Sequence, residues 1–165
     1  MGRKEKIQKS NAMRELDRAH VSYRAIELGG EEDISRGLGK RMAVQEGMNP
    51  DAVFKTLVCI SPAGEHVVCC IPVDCELDLK KAAAAAGEKS LALNAISDLE
   101  ATTGYVRGGC SPVGMKKLFL TLIDETAQLF EEISISGGRR GLSLVLAPDD
   151  LCKFCNASYV DITRI

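Results

Sequence analysis

Two apolar runs joined by four turn-forming residues fix the centre of this fold. Residues 53–60 (Val-Phe-Lys-Thr-Leu-Val-Cys-Ile) and 65–72 (Glu-His-Val-Val-Cys-Cys-Ile-Pro) are rich in β-branched and apolar residues and read as strands. Ser61-Pro62-Ala63-Gly64 supplies the turn that folds them into a hairpin. One residue is out of character: Lys55 interrupts the first run. Alternation places Lys55, Leu57 and Cys59 on one face and Phe54, Thr56 and Val58 on the other. A lysine in such a run either faces solvent at a sheet edge or reaches from a rigid strand into a cleft to meet an anion.

Short helices and strands surround the hairpin. Ser10 or Asn11 caps a helix running to about His20, followed by a strand over 21–28, a loop over 29–33 and a helix over 35–46 ending at Gly47. Beyond the hairpin, an alanine-rich helix over 77–86 is closed by Gly87, with Lys80 and Lys81 on its solvated face. A short strand (91–94), a short helix (96–102), a strand (118–123) and helical turns (125–129) follow. Strands over 133–136 and 142–146, a helix opened by Pro148 and running to 154, and a strand over 159–162 complete the chain. Strands outnumber helices, and hairpins mix with helical excursions. The expected fold is α+β, with a mixed, mainly antiparallel, curved sheet. The 165 residues suit one domain, with the basic residues 1–9 loosely ordered.

Two glycine pairs punctuate the second half. One lies in Gly108-Gly109-Cys110-Ser111-Pro112-Val113-Gly114-Met115-Lys116-Lys117, the other in Ser136-Gly137-Gly138-Arg139-Arg140-Gly141. Paired glycines remove side-chain bulk and let backbone N–H groups converge on a ligand. Fixed positive charge beside bare backbone suits a phosphate, a ribose or a developing oxyanion. Each segment alone is also compatible with a tight turn and solvated Lys and Arg side chains.

Composition excludes several classes. A net charge of −2 and a pI near 5.8 argue against a protein that tracks long stretches of DNA or RNA phosphate. Contact with a nucleic acid must be local, through Lys55, Arg107, Lys116, Lys117, Arg139 and Arg140. No apolar run approaches the roughly 20 residues that cross a bilayer, and the basic N-terminus has no apolar stretch typical of a secretory signal. Seven cysteines without such a signal point to free thiols in the reducing cytoplasm. Cys152-Lys153-Phe154-Cys155 has redox or half-zinc spacing, but His20 and His66 are isolated and offer no second ligand pair. No metal and no cofactor are expected.

In this order and spacing, the lysine strand and the two glycine segments resemble the YbaK/EbsC family, the free-standing Cys-tRNA(Pro) deacylases. The likeness extends from Lys9-Ser10-Asn11-Ala12-Met13-Arg14-Glu15-Leu16-Asp17 to Asn156-Ala157-Ser158-Tyr159-Val160-Asp161-Ile162. It takes in Ile71-Pro72-Val73, Glu76-Leu77-Asp78-Leu79-Lys80-Lys81 and Ile123-Asp124-Glu125-Thr126-Ala127. The resemblance implies a barrel-like mixed sheet with helices outside and the site in a cleft. It implies trans-editing, the removal of cysteine from Cys-tRNA(Pro) and also from Cys-tRNA(Cys). The partners would be the acceptor end of aminoacyl-tRNA and, transiently, prolyl-tRNA synthetase. Many relatives carry an aromatic and acidic stretch after the first strand. Here that region is Glu27-Leu28-Gly29-Gly30-Glu31-Glu32-Asp33, with no aromatic, so either Tyr23 or Phe54 substitutes or the ligand is bound more loosely.

No Ser-His-Asp, Cys-His or Gly-x-Ser-x-Gly arrangement is evident. Cys110 lies in a glycine segment but has no obvious base in sequence. The resemblance implies instead that the substrate's own thiol attacks its ester, giving a thiolactone, which makes the enzyme formally a lyase rather than a hydrolase. Intramolecular attack supplies much of the proximity contribution, roughly 7–11 kcal/mol at ideal geometry. Lys55 would then position the substrate. Gly108, Gly109, Ser111, Gly114, Ser136, Gly137, Gly138 and Arg139 would hold the tRNA end or the oxyanion. The alternatives are a non-enzymatic binder of nucleotides or aminoacyl-adenosine, and a thiol redox protein using Cys152 and Cys155.

Overall fold

The structure is a computed structural model that describes residues 7–27 and 47–164. The elements are α1 (Asn11–Arg18), β1 (Arg24–Glu27), β2 (Phe54–Ile60), β3 (His66–Pro72), α2 (Leu79–Ala86), β4 (Ala92–Leu93) and α3 (Ile96–Thr103). They continue with β5 (Leu120–Asp124), β6 (Ile133–Ser136), β7 (Leu142–Leu146), α4 (Pro148–Phe154) and β8 (Ser158–Val160). Tight helical turns cover Pro50–Ala52 and Glu125–Leu129. The loop and helix expected over 29–33 and 35–46 lie outside the described residues.

The hairpin forms as expected. Strands β2 and β3 pair antiparallel with Lys55 opposite Ile71, and the Ser61 N–H donates to the Glu65 carbonyl (2.8 Å) to close the turn. They are the middle of a five-stranded sheet ordered β4-β2-β3-β5-β8, in which β3, β5 and β8 run parallel. A second, antiparallel sheet is ordered β1-β7-β6. The two meet at one isolated bridge, Val53 to Ser134. The mixed, mainly antiparallel character is as expected, but the sheets do not close into a barrel.

Alternation along β2 decides what each face packs against. Phe54 and Val58 join Val68 and Cys70 in the main core, opposite Ile135, Leu144 and Leu146 of the second sheet. Met13 and Leu16 of α1 and Leu151 of α4 complete that core. Leu57 and Cys59 face the other way, into a smaller core with Ile71, Leu122 and Ala82 and Ala83 of α2.

Local chemistry sets the helix borders. The Met13 N–H donates to the Ser10 hydroxyl (3.2 Å), and a shared apolar stripe buries Ala12, Met13 and Leu16. The Val21 N–H turns back to the Leu16 carbonyl (2.9 Å), so β1 starts at Arg24 rather than 21. Helix α2 starts at Leu79 rather than 77 because Asp78 is its cap, accepting from the Lys80 and Lys81 N–H groups at 3.0 Å. Leu77 instead bridges to Thr163, which ties the C-terminal strand to this helix. Asp124 is 1% exposed and accepts from the Thr126 hydroxyl (2.6 Å) and the Ile162 N–H (3.1 Å), fastening the same tail to β5. Near the other end, Lys9 contacts both Asp17 (2.6 Å) and Tyr23 (3.2 Å).

Candidate active-site cleft

Strand β2 is only partly covered along its outer edge. β4 pairs with Cys59 and Ile60, and β6, though packed near β2, forms a backbone bridge only from Ser134 to Val53, just before β2. Between these two points the edge borders a cleft of about 450 Å³. Residues 53–58 and Val73 form its floor. Leu93, Asn94, Ile96 and Leu99 form one wall, and Ser134, Ile135, Ser136 and residues 141–143 the other. Arg107, Gly108 and Cys110 close the remaining side.

The cleft is basic and partly apolar. Lys55 and Arg107 line it, while no Asp, Glu or His does so among the described residues. Lys55 is half-buried and makes no hydrogen bond or ion pair with another described residue. An ammonium beside a cavity, with no direct ion-pair partner among the described residues, is poised for an anionic or strongly polar ligand. Leu93 and Ile96 remain 56% and 61% exposed and add apolar surface to the cleft lining.

The two glycine segments meet, but they do not both face the cleft. Gly108 and Ser136 line it. Gly109 is buried behind the wall, against the Arg139 backbone. Gly137 packs on Leu142, and Gly138 (φ +105°) on the Tyr105 ring. The Tyr105 hydroxyl donates to the Val113 carbonyl (2.6 Å). Ser111 is fully buried and accepts from the Val113 N–H (3.3 Å). Gly114 borders a smaller cavity of about 200 Å³ by α1, and its carbonyl accepts from the Asn11 amide (2.8 Å).

The basic residues divide similarly. Arg139 pairs with Glu27 and donates to the Gln8 carbonyl (2.9 Å), tying its loop to β1 and the N-terminal segment. Arg140 donates to the Arg107 carbonyl (3.2 Å) and Lys116 to that of Ala101 (3.2 Å), while Lys117 lines the smaller cavity. Of the two aromatic substitutes, Phe54 lines the main cleft, whereas the Tyr23 hydroxyl is engaged with Asp17 and Lys9. Leu93, Ile96 and Leu99 were not anticipated as cleft residues, because in sequence they look like core positions of a short strand and helix.

Cys110 is the cysteine that lines the cleft. Burial pushes its thiol up to about 11, although a hydrogen bond with Thr103 works the other way. It is therefore protonated at neutral pH, and among the described residues no histidine or carboxylate lines the cleft to deprotonate it. Cys152 in α4 and Cys155, which caps its C-terminus, form no disulfide, and burial raises both, Cys155 to about 12. A redox thiol needs the opposite shift. Among the described residues, no three His, Cys, Asp or Glu side chains converge to hold a metal. No described helix is long and apolar enough to cross a membrane.

Comparison with known proteins agrees with this geometry. Residues 38–154 match the model of the aminoacyl-tRNA editing domain. An Enterococcus faecalis protein is 41% identical over 165 residues, covering 99% of this chain and 98% of its own length. It is provisionally named Cys-tRNA(Pro)/Cys-tRNA(Cys) deacylase EbsC. A solved structure described provisionally as a trans-editing enzyme for prolyl tRNA synthetase superposes with a TM-score of 0.81 at 22% identity, covering 96% of this chain and 99% of that one. Hypothetical protein APE2540 superposes with a TM-score of 0.82 at 20% identity, covering 94% of this chain and all of that one. These two share the fold. Family match and near-full-length identity together establish that the chain belongs to the aminoacyl-tRNA editing domain family, in its YbaK/EbsC branch.

Proposed function

We propose that this protein deacylates mischarged tRNA and that its substrate is a cysteinyl ester at the tRNA acceptor end. The carrying observation is the cleft itself: Lys55 and Arg107 line it, and no nucleophile–base pair does so among the described residues. Such a cleft suits a substrate that brings its own nucleophile. The cysteinyl sulfur attacks the ester carbonyl carbon, forming a C–S bond and a tetrahedral oxyanion. Collapse breaks the bond from that carbon to the ribose oxygen. The ribose oxygen leaves with the proton that the thiol gave up, and the products are a thiolactone and free tRNA. The protein holds the folded conformer and stabilises the oxyanion.

Lys55 positions the terminal ribose or phosphate by charge. Gly108 and Ser136 contact the substrate from the walls. Gly109, Ser111, Gly114, Gly137, Gly138 and Arg139 shape the loops that carry those walls. The name of the Enterococcus faecalis relative supports cysteine as the amino acid, and both tRNA(Pro) and tRNA(Cys) as carriers. The description of the trans-editing structure supports prolyl-tRNA synthetase as a transient partner.

The test is incubation with Cys-tRNA(Pro), Cys-tRNA(Cys), Ala-tRNA(Pro) and Ser-tRNA. Loss of the amino acid from the two cysteinyl-tRNAs is expected, with little from the others. Tight binding of cysteinyl-tRNA without turnover would replace this reading with that of a non-enzymatic binder.

A further inference from the structure

The β2 ladder leaves one peptide edge open in the cleft. The Val73 N–H donates to the Val53 carbonyl (2.9 Å), and the Ser61 N–H donates to the Glu65 carbonyl (2.8 Å). With the continuous register between them, these bonds make Val53, Lys55, Leu57 and Cys59 the residues whose peptide groups face β3. In an antiparallel ladder the intervening residues point the other way. The Asn94 N–H duly donates to the Val58 carbonyl (2.8 Å), and Ile60 pairs with Ala92.

Thr56 belongs to this second set. Extending the β4 register would put Ile96 opposite it, but the chain turns into α3 at that residue. On the other side β6 packs near β2, but its one backbone bridge to this segment is at Val53, just before β2. The Thr56 N–H and C=O therefore point into the cleft, and no other described segment pairs with them. An open strand edge is a template for another extended segment.

We propose that the Thr56 main chain recognises the aminoacyl group by pairing with it as a one-residue antiparallel strand, an inference that rests on the deacylase reading. A residue in a hydrogen-bonded antiparallel pair exchanges both its bonds with the residue opposite. An α-amino ester has the same spacing of amino nitrogen and carbonyl oxygen. Its α-ammonium donates to the Thr56 carbonyl, and its ester carbonyl accepts from the Thr56 N–H. This gives the ammonium an acceptor in a cleft whose described lining has no carboxylate. It also puts a donor on the oxygen that becomes the oxyanion, where the bond strengthens as charge develops. Lys55 is thereby left to the ribose and phosphate.

The experiment is amide hydrogen exchange by NMR on the isotope-labelled, unmodified protein, with and without an amide-linked analogue of cysteinyl-adenosine. In the free protein the Thr56 amide is expected to exchange fast, while the Lys55 and Leu57 amides, bonded to β3, are protected. The analogue should slow Thr56 by about tenfold or more. An otherwise identical analogue lacking the α-amino group should bind more weakly and protect Thr56 less. If Thr56 is already protected in the free protein, the pairing is overturned. It is also overturned if Thr56 stays fast while Gly108 and Ser136 resonances shift with the analogue, and the deacylase reading then stands. If no cleft resonance responds to millimolar analogue, the deacylase reading falls and the pairing falls with it.

Discussion

A Cβ on Gly109 would stand 2.8 Å from the Cα of Arg139, so the two glycine segments meet backbone against backbone. Beside them, a Cβ on Gly108 would come within 2.9 Å of the Arg140 side chain, which donates to the Arg107 carbonyl. The segments thus position one another, and with them Gly108 and Ser136 on the cleft wall. Backbone cannot swing aside as a flexible side chain can. Gly109→Ala is expected to cost about 1–3 kcal/mol of stability and to lower deacylation by displacing Gly108. Denaturant unfolding and a deacylation assay on the same sample check this. Wild-type values in both would show that the loops separate freely.

Lys55 gives the cleanest separation of function from fold. It makes no bond to another described residue, so Lys55→Ala should leave unfolding within about 0.5 kcal/mol of wild type. Losing its charge-assisted contact with substrate should cost about 1.5–3 kcal/mol, or roughly 10–150-fold in kcat/KM. Near-normal turnover by the folded variant would remove Lys55 from the site.

Much of this arrangement was legible because local signals set local borders. Strands β6 and β7 and helix α4 fall where apolar runs, glycines and Pro148 place them. The lysine in β2 stood out because strand interiors rarely hold one. The parallel pairing of β3, β5 and β8 was not legible, since it joins segments whose periodicity says nothing about their neighbours. Nor did the glycine signal separate its two uses. Gly108 gives access to the cleft, whereas Gly109 permits close packing of two backbones, and the motif looks the same for both. The open edge at Thr56 depends on where β4 stops, which Leu93 and Ile96 do not announce in sequence.

The nucleophile is tested by two substitutions on opposite sides of the reaction. Cys110 is held protonated by burial, up to about 11. Cys110→Ala and Cys110→Ser should therefore keep most activity, and the wild-type thiol should resist alkylation at neutral pH. Alkylating the cysteinyl thiol of the substrate should abolish release. Inactivity of both variants, with a covalent cysteinyl-enzyme seen by mass spectrometry, would reverse the assignment.

Burial of thiols has a consequence for stability against pH. A thiol with an ordinary value of 9.0 is raised to about 11 at Cys110 and about 12 at Cys155, in both cases chiefly by desolvation. Above about pH 9 the unfolded chain releases these protons while the folded chain keeps them, so unfolding becomes more favourable as pH rises. The stabilisation is whole below the unfolded value and is lost through the folded one. Each group contributes a slope of about 1.4 kcal/mol per pH unit within that window. Unfolding midpoints under reducing conditions should fall between about pH 9 and about pH 11. Cys110→Ala should make the fall shallower. A flat profile would mean that these thiols ionise in the folded state as readily as in the unfolded one.

Choice of tRNA should lie outside this protein. Its net charge is −2, and Lys55 and Arg107 are the cations that line the cleft among the described residues. Two or three ionic contacts with a single-stranded acceptor end predict a log–log salt slope of only about −2, far from that of a protein gripping a tRNA body. The purified protein should therefore deacylate Cys-tRNA(Pro) and Cys-tRNA(Cys) at similar rates when substrate is well below KM. Those rates should fall with added salt along that shallow slope. Prolyl-tRNA synthetase reads its own tRNA, so adding it should restore preference for Cys-tRNA(Pro) by delivering the mischarged end. A strong preference for tRNA(Pro) by the protein alone, or a salt slope several times steeper, would reveal a tRNA-reading surface beyond the cleft.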